Sequence, residues 1–350
     1  MTRRVRLGVA GLGRMGRLHA ENAAASRGIE LVRVVDADES LARTLGEELG
    51  SDWSADYDDL LADPAVEGAV VVTPTPLHVP MIERAAAAGK HVFCEKPLAF
   101  DIDEAARGVE AARAGGVKLQ VGFHRRFDPD WSAAAERIRK GELGEVYFFR
   151  TSLRDMSPPS IEYIRSSGGF FVDVTIHDLD TARWLVGEID EVTAIGAALS
   201  DPAIARAGDV DSAIVTLRFA NGALGVIDNS RMAGYGYECS TEVVGSTATV
   251  RIGSHRRLHT EWLTAGRLEV DWVSDFVERY PQAYRLELEH FAAAIRDDAP
   301  PLVTGDDGVA ALALAQACQR SYEERRPVRV ESARTVPRTV PAVEQRVEAE

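Results

Sequence analysis

Cysteine is scarce: Cys94, Cys239 and Cys318 are the only three in 350 residues. An odd, widely spaced set does not read as a disulfide framework and points instead to reduced thiols in a cytoplasm. No zinc-type spacing of cysteine and histidine occurs, so no metal site is expected. Positive charge is also short, with 40 Lys+Arg against 55 Asp+Glu and a formal charge of -15. Without a local basic patch, nucleic acid and anionic membranes are excluded as partners. No apolar run approaches the roughly 20 residues of a membrane span. Arg3-Arg4 hints at a twin-arginine export signal, but glycines and Arg14 break the segment Leu7 to Gly16 that would have to be apolar. A soluble, cytoplasmic protein is expected.

With 45% hydrophobic and 27% charged residues, the chain is globular in composition. Its length exceeds one typical core, so two domains are expected. In the first third, short β-branched runs at Val5–Ala10, Leu31–Val35, Ala69–Val72, His91–Cys94 and Val117–Val121 alternate with helical patterns such as Leu77–Ala88 and Ile102–Ala114. This is the signature of parallel βαβ units in a doubly wound α/β sheet. From about Glu145 strands follow in quick succession: Val146–Leu153, Val192–Leu199, Ala213–Phe219, Leu224–Ser230, Thr241–Val244 and Ala248–Ile252. Asn221-Gly222 predicts a tight hairpin with both turn residues at positive φ. The second domain is therefore read as α+β with a large, mostly antiparallel open sheet, one face of which helices or another subunit must cover. Residues 1–122 form the first domain and 123–330 the second, closed by a helix over Val309–Glu324. Residues 331–350, without apolar period, read as a flexible tail.

Gly11-Leu12-Gly13-Arg14-Met15-Gly16 follows a predicted strand and opens a predicted helix, the context of a dinucleotide fingerprint. Gly11 permits the tight turn, Gly13 the approach of a pyrophosphate, and Gly16 close helix packing. Asp36 ends the second strand, where its carboxylate can accept both ribose hydroxyls and would repel a 2′-phosphate. No arginine follows it, so the expected cofactor is NAD. Arg14, Met15, Thr73, Thr75, His78, Glu95 and Lys96 complete the expected cofactor contacts, the later ones at carboxyl ends of strands, where open α/β sheets bind ligands.

Glu95-Lys96-Pro97 comes directly after the fourth strand, and the proline restricts Lys96 to extended geometry. Taken with Gly122-Phe123-His124-Arg125-Arg126-Phe127-Asp128, with Gly168 to Asp178, and with Asn229-Ser230-Arg231 before Tyr235-Gly236-Tyr237, it gives the chain a resemblance to the Gfo/Idh/MocA oxidoreductases, and within them to inositol 2-dehydrogenases. The resemblance spans nearly the whole chain, from Val5 to Val328. It implies a Rossmann domain, a homotetramer, and oxidation of a secondary hydroxyl of a cyclic polyol, myo-inositol to 2-keto-myo-inositol first. It further implies that Lys96 binds the reacting oxygen, His177 takes the hydroxyl proton and Asp173 supports the imidazolium.

A helix over Asp173–Trp184 would put Asp173, His177 and Asp180 on one face. Three alternatives stand beside the proton-transfer dyad: a plain surface pair worth a few tenths of a kcal/mol, a metal site at Asp173, His177 and Asp178, and a non-catalytic NAD-binding sensor. Another inositol isomer, a pyranose sugar, or an NAD-using glycoside hydrolase remain open as activities. Arg126, Arg154, Asp155, Tyr235 and Tyr237 join Lys96, Asp173 and His177 as expected polyol contacts. Glu238-Cys239-Ser240 and His124 depart from the inositol pattern, and the former stretch is expected beside the substrate ring, tuning isomer preference.

Overall fold

The structure, a computed structural model, describes residues 3–253 and 256–330. The expected tail at 331–350 lies outside them. Six parallel strands form the N-terminal sheet: β1 (Val5–Ala10), β2 (Ile29–Val35), β3 (Asp52–Ser54), β4 (Gly68–Val71), β5 (His91–Cys94) and β6 (Leu119–Val121). Their order is β3-β2-β1-β4-β5-β6. Val5, Leu7, Val9, Val70 and Phe93 are all buried, as central strands covered on both faces require. β3 was not anticipated, because three residues are too short to show a period.

The packing crosses the expected division at 122/123. Leu288, Phe291, Ala292 and Ile295, on the helix Pro281–Arg296, belong to the same core as β1. That late helix thus crosses back onto the dinucleotide domain and lies against its first helix, Arg14–Ala25.

The second sheet holds β7 (Val146–Arg154), β8 (Ile189–Ala197), β9 (Ser212–Phe219), β10 (Leu224–Ser230), β11 (Glu238–Gly245) and β12 (Thr249–Ile252). A separate hairpin, β13 (Arg256–Thr264) and β14 (Arg267–Trp272), follows, and β15 (Val328–Arg329) closes the edge. The order is β12-β11-β7-β10-β9-β8-β15, antiparallel except where β10 runs parallel to β7. The β9–β10 hairpin forms as expected, but its turn differs: only Gly222 has positive φ, at 89°. Gly222 N–H donates to Phe219 O, and the Asn221 side chain accepts from Ala223 N–H. A three-residue loop of this kind needs one left-handed residue rather than two.

Two helices, Ile176–Val186 and Gly305–Glu324, cover one face of this sheet. The other face leaves Phe148, Ile195, Ile214 and Leu224 exposed. Each forgoes up to about 1.5–3 kcal/mol of burial. Strand alternation makes this division strict. Phe149, Thr151 and Leu153 are buried, whereas Arg150 and Arg154 point the other way.

Candidate active site

The glycine loop builds a cradle from backbone alone. Gly11 sits at φ 88° with no room behind it, since a Cβ there would meet Thr73 N and Val72 O at 2.7 Å. A Cβ on Gly16 would lie 1.7 Å from Gly11 O, so the helix can begin against the turn only with glycine. Gly13, by contrast, faces open space with nothing within 4 Å of a built Cβ. It is the N-cap of the helix Arg14–Ala25, which carries neither a side-chain cap nor an acid in its first turn. Its free N–H groups and positive helix end therefore suit an anionic pyrophosphate. Asp36 accepts Leu12 N–H at 2.7 Å and Asp38 N–H at 2.9 Å. These bonds fix the carboxylate at the end of β2 and leave lone pairs for ribose hydroxyls. The donors present fit a dinucleotide lacking a 2′-phosphate.

Across the carboxyl edge of the sheet stands Lys96, following β5, in a cis Lys96–Pro97 turn. Its Nζ donates to Asp173 O at 2.9 Å and lies 3.4 Å from Asp173 Oδ1. Tyr163 OH donates to the same Oδ1 at 2.9 Å. Arg231 Nη2 stands 3.0 Å from Oδ2, an ion pair outside hydrogen-bond angles. Burial alone would raise the Asp173 carboxyl, but Lys96 and Arg231 outweigh it and hold the group below the usual range. Asp155 lies in the same field: burial, opposed by Arg231 and reinforced by Asp173, pushes its carboxyl up to about 6.

His177 opens onto this group from the next turn. Its ring is half-buried, edge-on to Phe123 at 6.1 Å and to His124 at 5.3 Å. Burial, followed by Lys96, His124 and Arg125, pushes its imidazole well below the usual histidine range. The ring is therefore neutral at ordinary pH, with a lone pair to offer. Below it, Asp178 accepts from Arg125, Thr151 and Asn229 and so clamps the helix onto the inner face of the sheet.

Two family models match this chain. The Gfo/Idh/MocA oxidoreductase "NAD-binding Rossmann fold" covers residues 5–123, and the "C-terminal alpha/beta domain" covers residues 135–330. The chain belongs to this family. It is an oxidoreductase with an NAD-binding domain. It is 41% identical to the myo-inositol 2-dehydrogenase of Thermotoga maritima over 93% of its own length and 99% of the relative. It is 39% identical to a scyllo-inositol 2-dehydrogenase (NAD(+)) of Bacillus subtilis, over 95% and 98%. Among solved structures, a putative myo-inositol dehydrogenase of Sinorhizobium meliloti superimposes with TM-score 0.91 at 40% identity, covering 93% of this chain and 100% of the other. The scyllo-inositol dehydrogenase of Lactobacillus casei, solved with NAD(H) and scyllo-inositol, gives TM-score 0.88 at 28% identity, over 94% and 99%.

Within this oxidoreductase, Lys96, Asp173, His177 and Asp155 come together as the sequence suggested, and several other expectations change. Asp173 and His177 do not form the expected i,i+4 pair, because Phe171–Thr175 is a π-helical turn and α-helix begins only at Ile176. The wider turn breaks the register, and the Asp173 carboxylate serves Lys96, Tyr163 and Arg231 instead. Asp180 also leaves that face. It pairs with Arg126, Nε to Oδ2 at 3.0 Å, while Arg126 Nη2 reaches Asp307 at 3.2 Å. Arg126, 1% exposed, is thus a sealed structural charge and not a polyol contact.

Arg154 sits on the open face, paired with Asp228 and next to Tyr235 OH. Tyr235, half exposed against Trp272, shares that rim, whereas Tyr237 is buried against Tyr280. Ser240 also faces outward and donates to Glu238, while Cys239 between them faces the core. The stretch at 238–240 therefore does not line one surface.

Nor does His78 reach a cofactor. It is 1% exposed, with its ring nitrogens 2.8 Å from Pro97 O and 2.7 Å from Thr73 O, a brace between two loops. Thr73 and Thr75 flank that brace. Arg14 pairs with Asp275 and lies over Phe276, and Met15 packs on the core. The Glu95 carboxylate turns inward, to His19 and the Lys96 amide. Sequence reasoning missed Tyr163 as a partner of Asp173 and gave no role to Arg231. The Asn229-Ser230-Arg231 run held the only signal for the second.

Proposed function

We propose that this oxidoreductase removes hydride from a ring carbinol of an inositol, with myo-inositol to 2-keto-myo-inositol as the first candidate. NAD, when bound at the glycine loop, accepts the hydride. Lys96 carries the reading. An ammonium has three donors, and Lys96 aims one at Asp173 O with another beside Oδ1. The third is left for the reacting oxygen, whose alkoxide character an adjacent cation favours. His177, neutral and making no protein hydrogen bond through its ring among the described residues, takes the hydroxyl proton. Asp173 keeps the ammonium in place, and Asp155 and Tyr163 offer polar groups to the remaining ring hydroxyls.

The near-equal likeness to relatives named for myo- and for scyllo-inositol supports scyllo-inositol as the second candidate. Three buried free cysteines suit a reducing cytoplasm, and the apolar open sheet face suits a homo-oligomer. No described helix is long and apolar enough to cross a membrane. A panel of inositol isomers and pyranoses, assayed for NADH formation with NAD and NADP, tests the reading. Reduction of NAD by inositols is expected, and a panel in which only pyranoses react would overturn it.

A further inference from the structure

Beneath the Glu95-Lys96-Pro97 turn lies a buried cluster that the proposed chemistry leaves unused. His19, on the helix that opens at the glycine loop, and Glu287, on the returning helix Pro281–Arg296, both have side chains at 0% exposure. Glu95 reaches between them from the end of β5. One ligand-type atom from each of the three lies within 4.8 Å of the other two. His19 Nε2 stands 2.8 Å from Glu95 Oε1 and 4.0 Å from Glu287 Oε1. The other Glu95 oxygen accepts the backbone N–H of Lys96 at 3.1 Å. Gly122 leaves the room for it, since a Cβ there would stand 2.9 Å from Glu95 Oε2.

Glu287 is the anomaly. Neither of its oxygens has a hydrogen-bond partner, and no lysine or arginine pairs with it among the described residues. The His19 imidazole 4.0 Å from it packs against aromatic rings, Phe93 and Tyr284, at centroid distances of 5.1 and 6.1 Å. An ionised carboxylate is strongly disfavoured there, while a carboxylic acid is neutral and carries a donor. Burial, with the charge of Glu95 added, pushes the Glu287 carboxyl well above the usual range. Two adjacent carboxyls resolve their repulsion by leaving one protonated. If that proton sat on Glu95 instead, its carboxyl would be a poorer acceptor for the Lys96 amide.

We propose that Glu287 is a protonated positioning acid that, with His19, keeps the negative charge of the trio on Glu95, so that Glu95 anchors the backbone of Lys96. The hydrogen bond from Glu287 runs to Glu95 directly after a small side-chain movement, or through one water. The kinetic half of this inference rests on the proposed role of Lys96; the protonation half does not.

Infrared difference spectra of the full-length protein, wild type minus Glu287→Gln, should show the C=O stretch of a protonated carboxylic acid at neutral pH, shifting in D2O. Glu287→Met, which keeps bulk but no donor, should lose at least about tenfold in kcat with KM for NAD within about twofold, and Glu287→Gln should recover most of that loss. A wild type without the infrared band overturns the proposal. So does a Gln variant as slow as the Met variant, or a metal ion bound stoichiometrically and required for kcat. Should Glu287→Met fail to fold, the band and the kcat of Glu287→Gln still decide. A Lys96→Met enzyme with undiminished kcat would instead retire the proposed function, and the infrared band would stand apart from that failure.

Discussion

Two clusters of the same residue types lie along one helical segment and have opposite characters. At Asp180 the carboxylate meets Arg126, and both side chains are sealed, at 2% and 1% exposure. Two helical turns earlier Asp173 meets Lys96, Tyr163 and Arg231, with the Asp173 and Lys96 side chains left 11% and 16% exposed. In the first cluster the two charges are buried against each other and nothing can enter, although Arg126 Nη1 is left without a hydrogen-bond partner. In the second, a lysine donor is unspent and a neutral imidazole stands beside it. Access, rather than residue type, separates the proposed site from the sealed pair.

The sharpest way to break this contrast is to remove one member from each side. His177→Ala should lower kcat by about 10²–10⁴, or roughly 3–5 kcal/mol in the barrier, with NAD affinity almost unchanged. Arg126→Met should do the reverse: it leaves Asp180 buried without its partner, costing about 3–5 kcal/mol of stability in denaturant titrations, with kcat per folded molecule near normal. A stable Arg126→Met enzyme with a collapsed kcat would erase the distinction.

A smaller effect is expected at the cofactor end. With Asp36 held by two backbone N–H groups, NADP should be discriminated against by at least about a hundredfold in kcat/KM. Equal use of both cofactors would remove Asp36 from the ribose site. Subtler again is the charge of Asp155. Its carboxyl, raised to about 6, is protonated below that pH and ionised above it, when it becomes a pure acceptor for polyol hydroxyls. The kcat/KM for inositol should therefore rise with pH through about 6, and Asp155→Asn should flatten that limb. The sign for folding is opposite: a raised carboxyl supports the fold at low pH, and that contribution fades as pH climbs through the same range. The smallest effect belongs to the outer face. Ser240→Arg should change isomer ratios by less than about twofold in competition assays, because residue 240 points away from the helix-covered side of the sheet. A larger change would place the outer face beside substrate.

Much of the cofactor half was legible because its determinants are local. Gly11, Gly13 and Gly16 act within six residues of chain, and their roles follow from backbone sterics that no distant partner alters. Asp36 and Lys96 were legible for a related reason, since both follow directly from the carboxyl ends of parallel strands. The polyol half was read less well. Arg154 was assigned to substrate by residue type, although the alternation of Phe149, Thr151 and Leu153 as the apolar-facing set already placed residue 154 on the opposite side. Asp173 and His177 were expected as an i,i+4 pair and are not joined, since nothing in their spacing announces a π turn.

The amino-acid sequence by itself determined the βαβ order, the glycine cradle, the acid at the end of the second strand, and the lysine at the strand end. These depend on φ, on strand period and on neighbours a few residues away. Only the tertiary structure decided which charges face one another. Asp173 draws Tyr163, ten residues earlier, and Arg231, far later in the chain, while Arg126 is claimed by Asp307 from the last helix. It also folded Glu287 back against Glu95 and His19. Such pairings depend on how elements pack and on what water each group loses, and burial sets the energy of a charge only once the core has closed around it.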